Sequence, residues 1–168
     1  QTVASLTGGK YYFPLPNELA GVYQEISALI GKGLIGGFIF HDSNGNGIFD
    51  QNEPKLANRT VQLTSGTFTK TATSNKDGAY TLIGLCDGQY QLKQTLPQGW
   101  KQTLPTAQTG YSVTISNASS FNDKNFGTTK TRCADIIDND NNGFADAKDS
   151  TCHKDGDPTN TNSYDPNI

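Results

Sequence analysis

Between Gly36 and about Gly127 the apolar residues fall at every second position. Val61 and Leu63, Tyr80 and Leu82, Tyr90 and Leu92, and Tyr111, Val113 and Ile115 each alternate with polar neighbours. A period of two is the mark of strands with one buried face. Turn signals separate these runs at Ser65-Gly66, Lys76-Asp77-Gly78, Cys86-Asp87-Gly88 and Pro97-Gln98-Gly99. The spacing predicts about seven short strands, and therefore a mainly β chain folded as an antiparallel β-sandwich. Residues 17–31 follow another rhythm. Leu19, Val22, Tyr23, Ile26, Leu29 and Ile30 recur at helical spacing, with Asn17 placed to cap the start and Gly31 to end it. This predicts one amphipathic helix, whose apolar stripe packs either on the rest of the protein or on a neighbouring subunit. The stretch before it ends in "YYFPLP", where two prolines favour extended chain. Beyond residue 128 the periodicity fades, so something other than a hydrophobic core must organise that part. Three parts result: an arm and helix over 1–33, the sandwich over 34–129, and a tail over 130–168.

Composition narrows the picture. Of 168 residues only 33% are apolar, enough for one modest core. The formal net charge is −3, and no basic run with interleaved aromatics is present, so nucleic acid is not an expected partner. No apolar stretch approaches the length of a membrane span. Of the three cysteines, Cys133 and Cys152 flank one acidic stretch and would pair in an oxidising compartment. Cys86 stands alone in "GLCDGQY" and is expected to be a small core residue rather than a linkable thiol. No CxxC pair occurs, and His41 and His153 are far apart, which argues against zinc.

The candidate chemistry lies in two oxygen-rich loops. "DSNGNGIFDQNE", from Asp42 to Glu53, matches the calcium-loop pattern D-x-[DN]-x-[DN]-G-x5-E in full. Calcium takes six to eight hard oxygens at about 2.3–2.6 Å. Asp42, Asn44 and Asn46 would supply three side-chain oxygens as the chain wraps the ion, and Gly47 would allow the sharp turn. Ile48 would give its main-chain carbonyl while its side chain points to the core. Asp50 would bind directly or through water, and Glu53 would close the site with two oxygens. The competing reading is a solvated Asn/Gly turn. "DNDNNGFADAKD" repeats the pattern with Asp138, Asp140, Asn142, Gly143, the Phe144 carbonyl, Asp146 and Asp149. Its last place holds Asp in place of Glu, and Asp135 just outside could complete the shell. A Cys133–Cys152 bridge around it would restrict the unfolded chain by about 3 kcal/mol, and a bridge plus an ion can order a segment with no core of its own. The competing reading here is an acidic tail held only by a disulfide. About two calcium ions are therefore expected, bound in a β setting: "GGFIF" before the first loop is strand-like, and Pro54 follows Glu53. Dockerin-type pairs of loops with two helices do not fit, because strands separate these loops.

"GGFIFHDSNGNGIFDQNEPKLANRTVQL", "TSNKDGAYTLIGLCDGQYQL", "LPQGW" and "NDKNFG" together resemble the SdrD B-like repeat domains of bacterial surface proteins, related to the collagen-adhesin B-type sandwiches. The resemblance covers about residues 34–129. It implies a prealbumin-like sandwich, stabilised by calcium and used as a rigid spacer in extracellular adhesins. By position it assigns Asp42, Asn44, Asn46, Asp50 and Glu53 as ligands and places Asp77 at a turn able to approach calcium, although a plain turn Asp fits the same place. Relatives often carry a Lys–Asn isopeptide bond. Here the first strand has no Lys at the usual place and Gln94 stands where an acid is expected, so calcium is expected to do that stiffening. "CADIIDNDNNGFADAKDSTC" resembles the Cys-framed Asp-rich repeats of secreted bacterial and archaeal surface proteins, departing at Ile136 and Asn142.

No nucleophile motif or acid/base pair is present, so an enzyme is not expected. The expected function is a secreted, calcium-stabilised subunit of a surface fibre, pilus or adhesin stalk, with identical subunits as partners. The N-terminal arm could add a strand to a neighbour, and the C-terminal arm has no evident core to join. The alternative is a calcium-dependent module that binds surface glycans or proteins of a host or neighbouring cell. "NRT" and "NAS" make Asn58 and Asn117 candidate glycosylation sites.

Overall fold

The computed structural model describes residues 32–168. The expected helix over 17–31 and the arm before it lie outside these residues. Nine strands form two sheets: β1 (Gly33–His41), β2 (Thr60–Ser65), β3 (Phe68–Thr73), β4 (Ala79–Leu85), β5 (Gly88–Gln94), β6 (Trp100–Leu104), β7 (Tyr111–Ile115), β8 (Ser120–Phe121) and β9 (Phe126–Lys130). One sheet runs β4-β1-β9-β6 with β8 also beside β1, and the other runs β3-β2-β5-β7. The alternating positions close the core between them: Ile35, Ile39, Val61, Leu63, Tyr80, Leu82, Tyr90, Leu92, Val113, Ile115 and Phe126 are all buried. The β-sandwich read from the pattern is present, with two short strands beyond the expected seven.

Two features differ from a plain antiparallel sandwich. β1 pairs in parallel with β9 through Ile39–Phe126, Phe40–Gly127 and His41–Thr128, and in parallel with β8. β1 is also covered on both faces, which is why "FIF" is a continuous apolar run and not an alternation. Ile39 points into the core, while Phe40, also fully buried, lies on the other face. There Phe49 packs edge-on against Phe38 and Phe40, with centroids 4.9 and 5.2 Å apart. The Lys55 ammonium sits 4.6 Å from the Phe38 centroid. The approach of Phe40 to β9 requires Gly127, since a Cβ there would lie 2.7 Å from the Phe40 ring.

Cys86 is exposed, contrary to the expectation of a core site. Leu85 takes the inward place at the end of β4, and the turn that follows carries the thiol outward, 2.9 Å from the Lys32 ammonium. The C-terminal arm, expected to lack a core to join, is packed down. Cys133 and Cys152 are bonded, with Cα atoms 5.6 Å apart. The Asp165 amide donates to the Cys152 carbonyl at 2.9 Å, and the Tyr164 hydroxyl donates to the Cys133 carbonyl. The Gly99 amide donates to Asn167 Oδ1 at 3.1 Å, tying the tail to the β5–β6 turn. His153 is buried: Nε2 faces the Ala147 carbonyl at 2.9 Å, and Nδ1 faces Ser163 Oγ at 2.9 Å and the Asn160 carbonyl at 3.1 Å. A bridge and polar staples thus hold residues 133–168 where apolar burial is scarce.

The core makes a direct prediction. Leu63 is fully buried and Ile83 is half exposed. Leu63→Ala should cost about 3 kcal/mol through lost burial and a residual cavity, whereas Ile83→Ala should stay within about 0.5 kcal/mol. Urea denaturation of the two variants checks the contrast.

Candidate metal centres

Each loop begins where a strand of the parallel pair ends. His41 closes β1 and Asp42 opens the first loop; β9 closes at Lys130, and the second loop follows the Cys133 bridge. The parallel pairing therefore puts both loops at one pole of the sandwich.

Inside the loops the hydrogen bonds match position by position. In the first, the Asn46 and Gly47 amides donate to the two carboxylate oxygens of Asp42 at 3.1 and 2.7 Å. In the second, the Asn142 and Gly143 amides donate to the two oxygens of Asp138 at 3.1 and 2.8 Å. The Asn46 amide also reaches Asn44 Oδ1 at 3.0 Å, as the Asn142 amide reaches Asp140 Oδ1 at 3.2 Å. The Ile48 amide donates to Asn46 Oδ1 at 2.7 Å, and the Phe144 amide to Asn142 Oδ1 at 2.9 Å. Left-handed backbone recurs at Gly45 and Asn141 and at Gly47 and Gly143. At Gly47 there is no room for strain relief either, since a Cβ would lie 3.3 Å from the Thr103 carbonyl.

The closing residues differ. In the first loop Glu53 accepts from the Ser43 amide at 2.7 Å and the Asp50 amide at 3.1 Å, so its carboxylate turns back across the loop. Asp50 Oδ2 receives the side-chain amides of Asn44 and Asn46 at 2.8 and 3.0 Å. In the second, Asp149 is buried and accepts from Thr151 and from the Asn142 side chain, at 2.8 and 3.3 Å. Asp146 takes the Ile136 amide on Oδ2 at 3.0 Å, while its buried Oδ1 has no partner. Asp135 is engaged with the Ile137 amide at 2.9 Å, at the entrance to the loop.

One expectation about a side chain is corrected. Ile48 does not point to the core: it is 64% exposed, and Phe49 goes inward in its place. Main-chain alternation through a loop that lies over the outer face of β1 gives Phe49, one residue on, the contact with Phe38 and Phe40. Asp77 is an exposed turn residue beside Lys76, 3.0 Å away. Sequence reasoning missed Thr103, a residue of β6 whose main chain backs Gly47; nothing in the spacing of the loop could have pointed to it.

The charge balance favours a cation. Asp42 is fully buried and Glu53 nearly so, yet none of the three ion pairs among the described residues involves either loop. Burial pushes the Asp42 carboxyl up, but the donors around it, the Gly47 and Asn46 amides among them, outweigh it and hold the carboxyl below its ordinary range. Asp149 is held low by the Thr151 amide and hydroxyl. Among the described residues no three His, Cys, Asp or Glu side chains form a ready-made metal cluster. The donor set is instead mixed: carboxylates, Asn amides and one main-chain carbonyl per loop, all hard oxygen, of the kind calcium takes and zinc does not. With the unpaired buried oxygen of Asp146, these residues fit a hard cation.

Two packed sheets followed by paired oxygen loops define the chain as a β-sandwich domain with candidate cation loops. The chain belongs to the SdrD B-like domain family, whose model matches residues 33–147 and so runs through the sandwich into the second loop. It is 34% identical over 89 residues to serine-aspartate repeat-containing protein D of Staphylococcus aureus, covering 52% of this chain and 6% of that protein. It is 34% identical over 132 residues to colossin-A of Dictyostelium discoideum, covering 71% of this chain and 1% of that protein. The chain thus spans a small fraction of either relative. Among solved structures it is similar to GBS52, the minor pilin of Streptococcus agalactiae, at 15% identity and a TM-score of 0.42, covering 60% of this chain and 45% of that one. A likeness at that score adds nothing to the functional reading.

Two outcomes test this geometry. Asp42→Ala takes the acceptor from the half-buried Gly47 amide and one of two acceptors from the Asn46 amide, and should cost about 1 kcal/mol even in chelator, measured by urea denaturation. Asp155 anchors the tail: the Ser163 hydroxyl, the Asp157 amide and the Asn160 side chain bring its carboxyl down to about 2 from 3.8. Because the folded value is the lower one, its contribution is full above about pH 4 and is lost as pH falls toward 2. Asp155→Asn should remove that part of the acid transition, seen as a flatter stability profile over the same window.

Proposed function

We propose that this chain is a secreted, calcium-stiffened structural unit of an extracellular fibre, pilus or adhesin stalk. The observation that carries the reading is the matched hydrogen-bond scaffold of the two loops, set at one pole by the parallel β1–β9 pair in a chain of the SdrD B-like family. Asp42, Asn44, Asn46, Asp50, Glu53 and the Ile48 carbonyl would hold one ion. Asp138, Asp140, Asn142, Asp146, Asp149 and the Phe144 carbonyl would hold a second, with Asp135 beside it. Bound calcium would supply fixed positive charge to carboxylates that have no ion-pair partner among the described residues. It would lock two long connections at the ends of the central strands. No helix among the described residues is long and apolar enough to cross a membrane, so attachment would come through neighbouring chain or subunits. Asn58 and Asn117 are exposed on tight turns, accessible to a glycosyl transferase.

A second reading, a calcium-dependent module binding glycan or protein, is favoured by one observation. A cleft of about 360 Å³ lies between Gly45–Gly47 of the first loop and Lys101, Gln102, Thr103, Thr106 and Gln108. Binding to a glycan array in calcium but not in EGTA would support it.

A thermal melt with and without EGTA, read together with light scattering, separates the readings. The structural reading expects the melting temperature to fall by tens of degrees in chelator and assemblies to dissolve. An unchanged melt would mean that the loops are polar turns, and would overturn the calcium reading.

A further inference from the structure

An asparagine followed by glycine carries a latent reaction. The glycine amide nitrogen can close a succinimide ring on the asparagine side-chain carbonyl carbon, because no Cβ stands in the way. The chain has three such pairs, Asn44-Gly45, Asn46-Gly47 and Asn142-Gly143, and all three lie in the oxygen loops. The three asparagines hold their side chains alike. Each Oδ1 accepts the amide two residues on, from Asn46 at 3.0 Å, Ile48 at 2.7 Å and Phe144 at 2.9 Å. That sets an N–H against the oxygen on which negative charge builds as the ring closes.

The pairs differ in the attacking amide. The Gly47 amide is held by the Asp42 carboxylate at 2.7 Å, and the Gly143 amide by the Asp138 carboxylate at 2.8 Å. Attack requires the nitrogen to turn toward the side chain and shed its proton, and a hydrogen bond to a carboxylate opposes both. The Gly45 amide faces Asp42 as well, but outside hydrogen-bond geometry. Space points the same way within the first loop. Asn44 and Gly45 are exposed, and a Cβ at Gly45 would meet nothing within 4 Å, whereas one at Gly47 would lie 3.3 Å from the Thr103 carbonyl.

We propose that Asn44 is a self-modifying site, converting through a succinimide to aspartate and isoaspartate, while Asp42 and Asp138 hold Asn46 and Asn142 unreactive. The Gly45 nitrogen bonds to Asn44 Cγ, the Cγ–Nδ2 bond breaks, and the amide proton leaves with Nδ2 as ammonia. Water then opens the ring. Opening at Cγ gives aspartate; opening at the main-chain carbonyl gives isoaspartate, with the chain running through the former side chain. One water enters and one ammonia leaves, with no oxidant or reductant. The consequence for the first loop rests on the calcium reading above. Aspartate at this ligand place adds charge beside Asp42 and Asp50, and isoaspartate adds a main-chain carbon and moves the oxygen away. The second loop has Asp140 at the equivalent place, with no amide to lose. The first ion site thus changes as the protein ages, and the second does not.

The test ages the full chain in EGTA and mildly alkaline buffer, so the result does not depend on whether the loops bind calcium. Peptides are then fragmented in a mass spectrometer, and the amide-to-acid mass gain is followed at each asparagine. Asn44 should convert at least roughly tenfold faster than Asn46 or Asn142, since each of those must first give up a hydrogen bond to a charged acceptor. In urea the three rates should converge. Asp138→Ala frees the Gly143 amide and should raise the Asn142 rate roughly tenfold while leaving that of Asn44 unchanged. Asp140→Ala loosens the same loop but spares that bond, and should leave Asn142 slow. Three equal rates in the folded chain, or no conversion at Asn44, overturn the proposal. The same order of rates in urea makes the contrast one of sequence and also overturns it. So does an Asn142 rate that Asp138→Ala leaves unchanged, or that Asp140→Ala raises as much. None of these outcomes touches the fibre reading, which the melt in chelator decides.

Discussion

Three parallel residue pairs, Ile39–Phe126, Phe40–Gly127 and His41–Thr128, decide where everything else goes. Once the last long strand lies in parallel beside the first, both must end at the same pole. Whatever follows each strand is then displayed together. A hairpin between them would have sent the two oxygen loops to opposite ends. The pairing in turn depends on a packing detail. The Phe40 ring lies against β9 only because Gly127 has no side chain, and Phe49 returns from the first loop to cover the same ring. One aromatic residue thus fastens the loop to the strand that precedes it. The Asp42 amide extends the same ladder, donating to the Thr128 carbonyl at 2.8 Å.

The loops solve a problem that apolar burial cannot. Residues 42–59 and 131–168 contain few large side chains that point inward, yet their main-chain groups need partners. Asp42 and Asp138 answer by accepting two successive amides each, and Asn44, Asp140, Asn46 and Asn142 accept the next ones. These bonds shape the chain but concentrate negative charge that no Lys or Arg among the described residues offsets through an ion pair. Shape and charge together suit a hard cation. In the tail the same economy continues through side-chain staples and a disulfide. His153 joins Ala147 to Asn160 and Ser163, and the bridge joins Cys133 to Cys152.

The period-two pattern made the sandwich legible, because Val61, Leu63, Tyr90, Leu92, Val113 and Ile115 meet one core from one sheet. The loop positions were equally legible, since their spacing is a local property of twelve residues. Four things were not. The parallel β1–β9 register joins residues more than eighty apart, and alternation carries no information on strand direction. The inward residue of the first loop is Phe49 and not Ile48, because the loop folds over the outer face of β1 and that face was invisible in the pattern. Cys86, at a turn, was expected as a small core residue, but Leu85 already fills the inward place. Thr103 was hidden for the simplest reason: its approach to Gly47 exists only in three dimensions.

The placement of the loops has a mechanical consequence. The chain enters the sandwich at Gly33, at one pole, and leaves the sheet beyond Lys130, at the other. Tension between these points pulls the start of β1 and the end of β9 apart. For parallel neighbours this is shear: the ladder bonds between them lie across the force and must yield together rather than one at a time. Unzipping would require the force to be applied at the same end of both strands, which the parallel register forbids. The regions then exposed to the load are the connections just past His41 and Lys130, which have little apolar packing of their own. Those are the places where the sequence puts Asp, Asn and Gly in ligand order, and where the Cys133–Cys152 bridge closes the second loop. A hard cation gripped by oxygens from both sides of each connection would resist extension there without enlarging the core. That makes the polar pole the complement of the sheared ladder rather than an ornament on it.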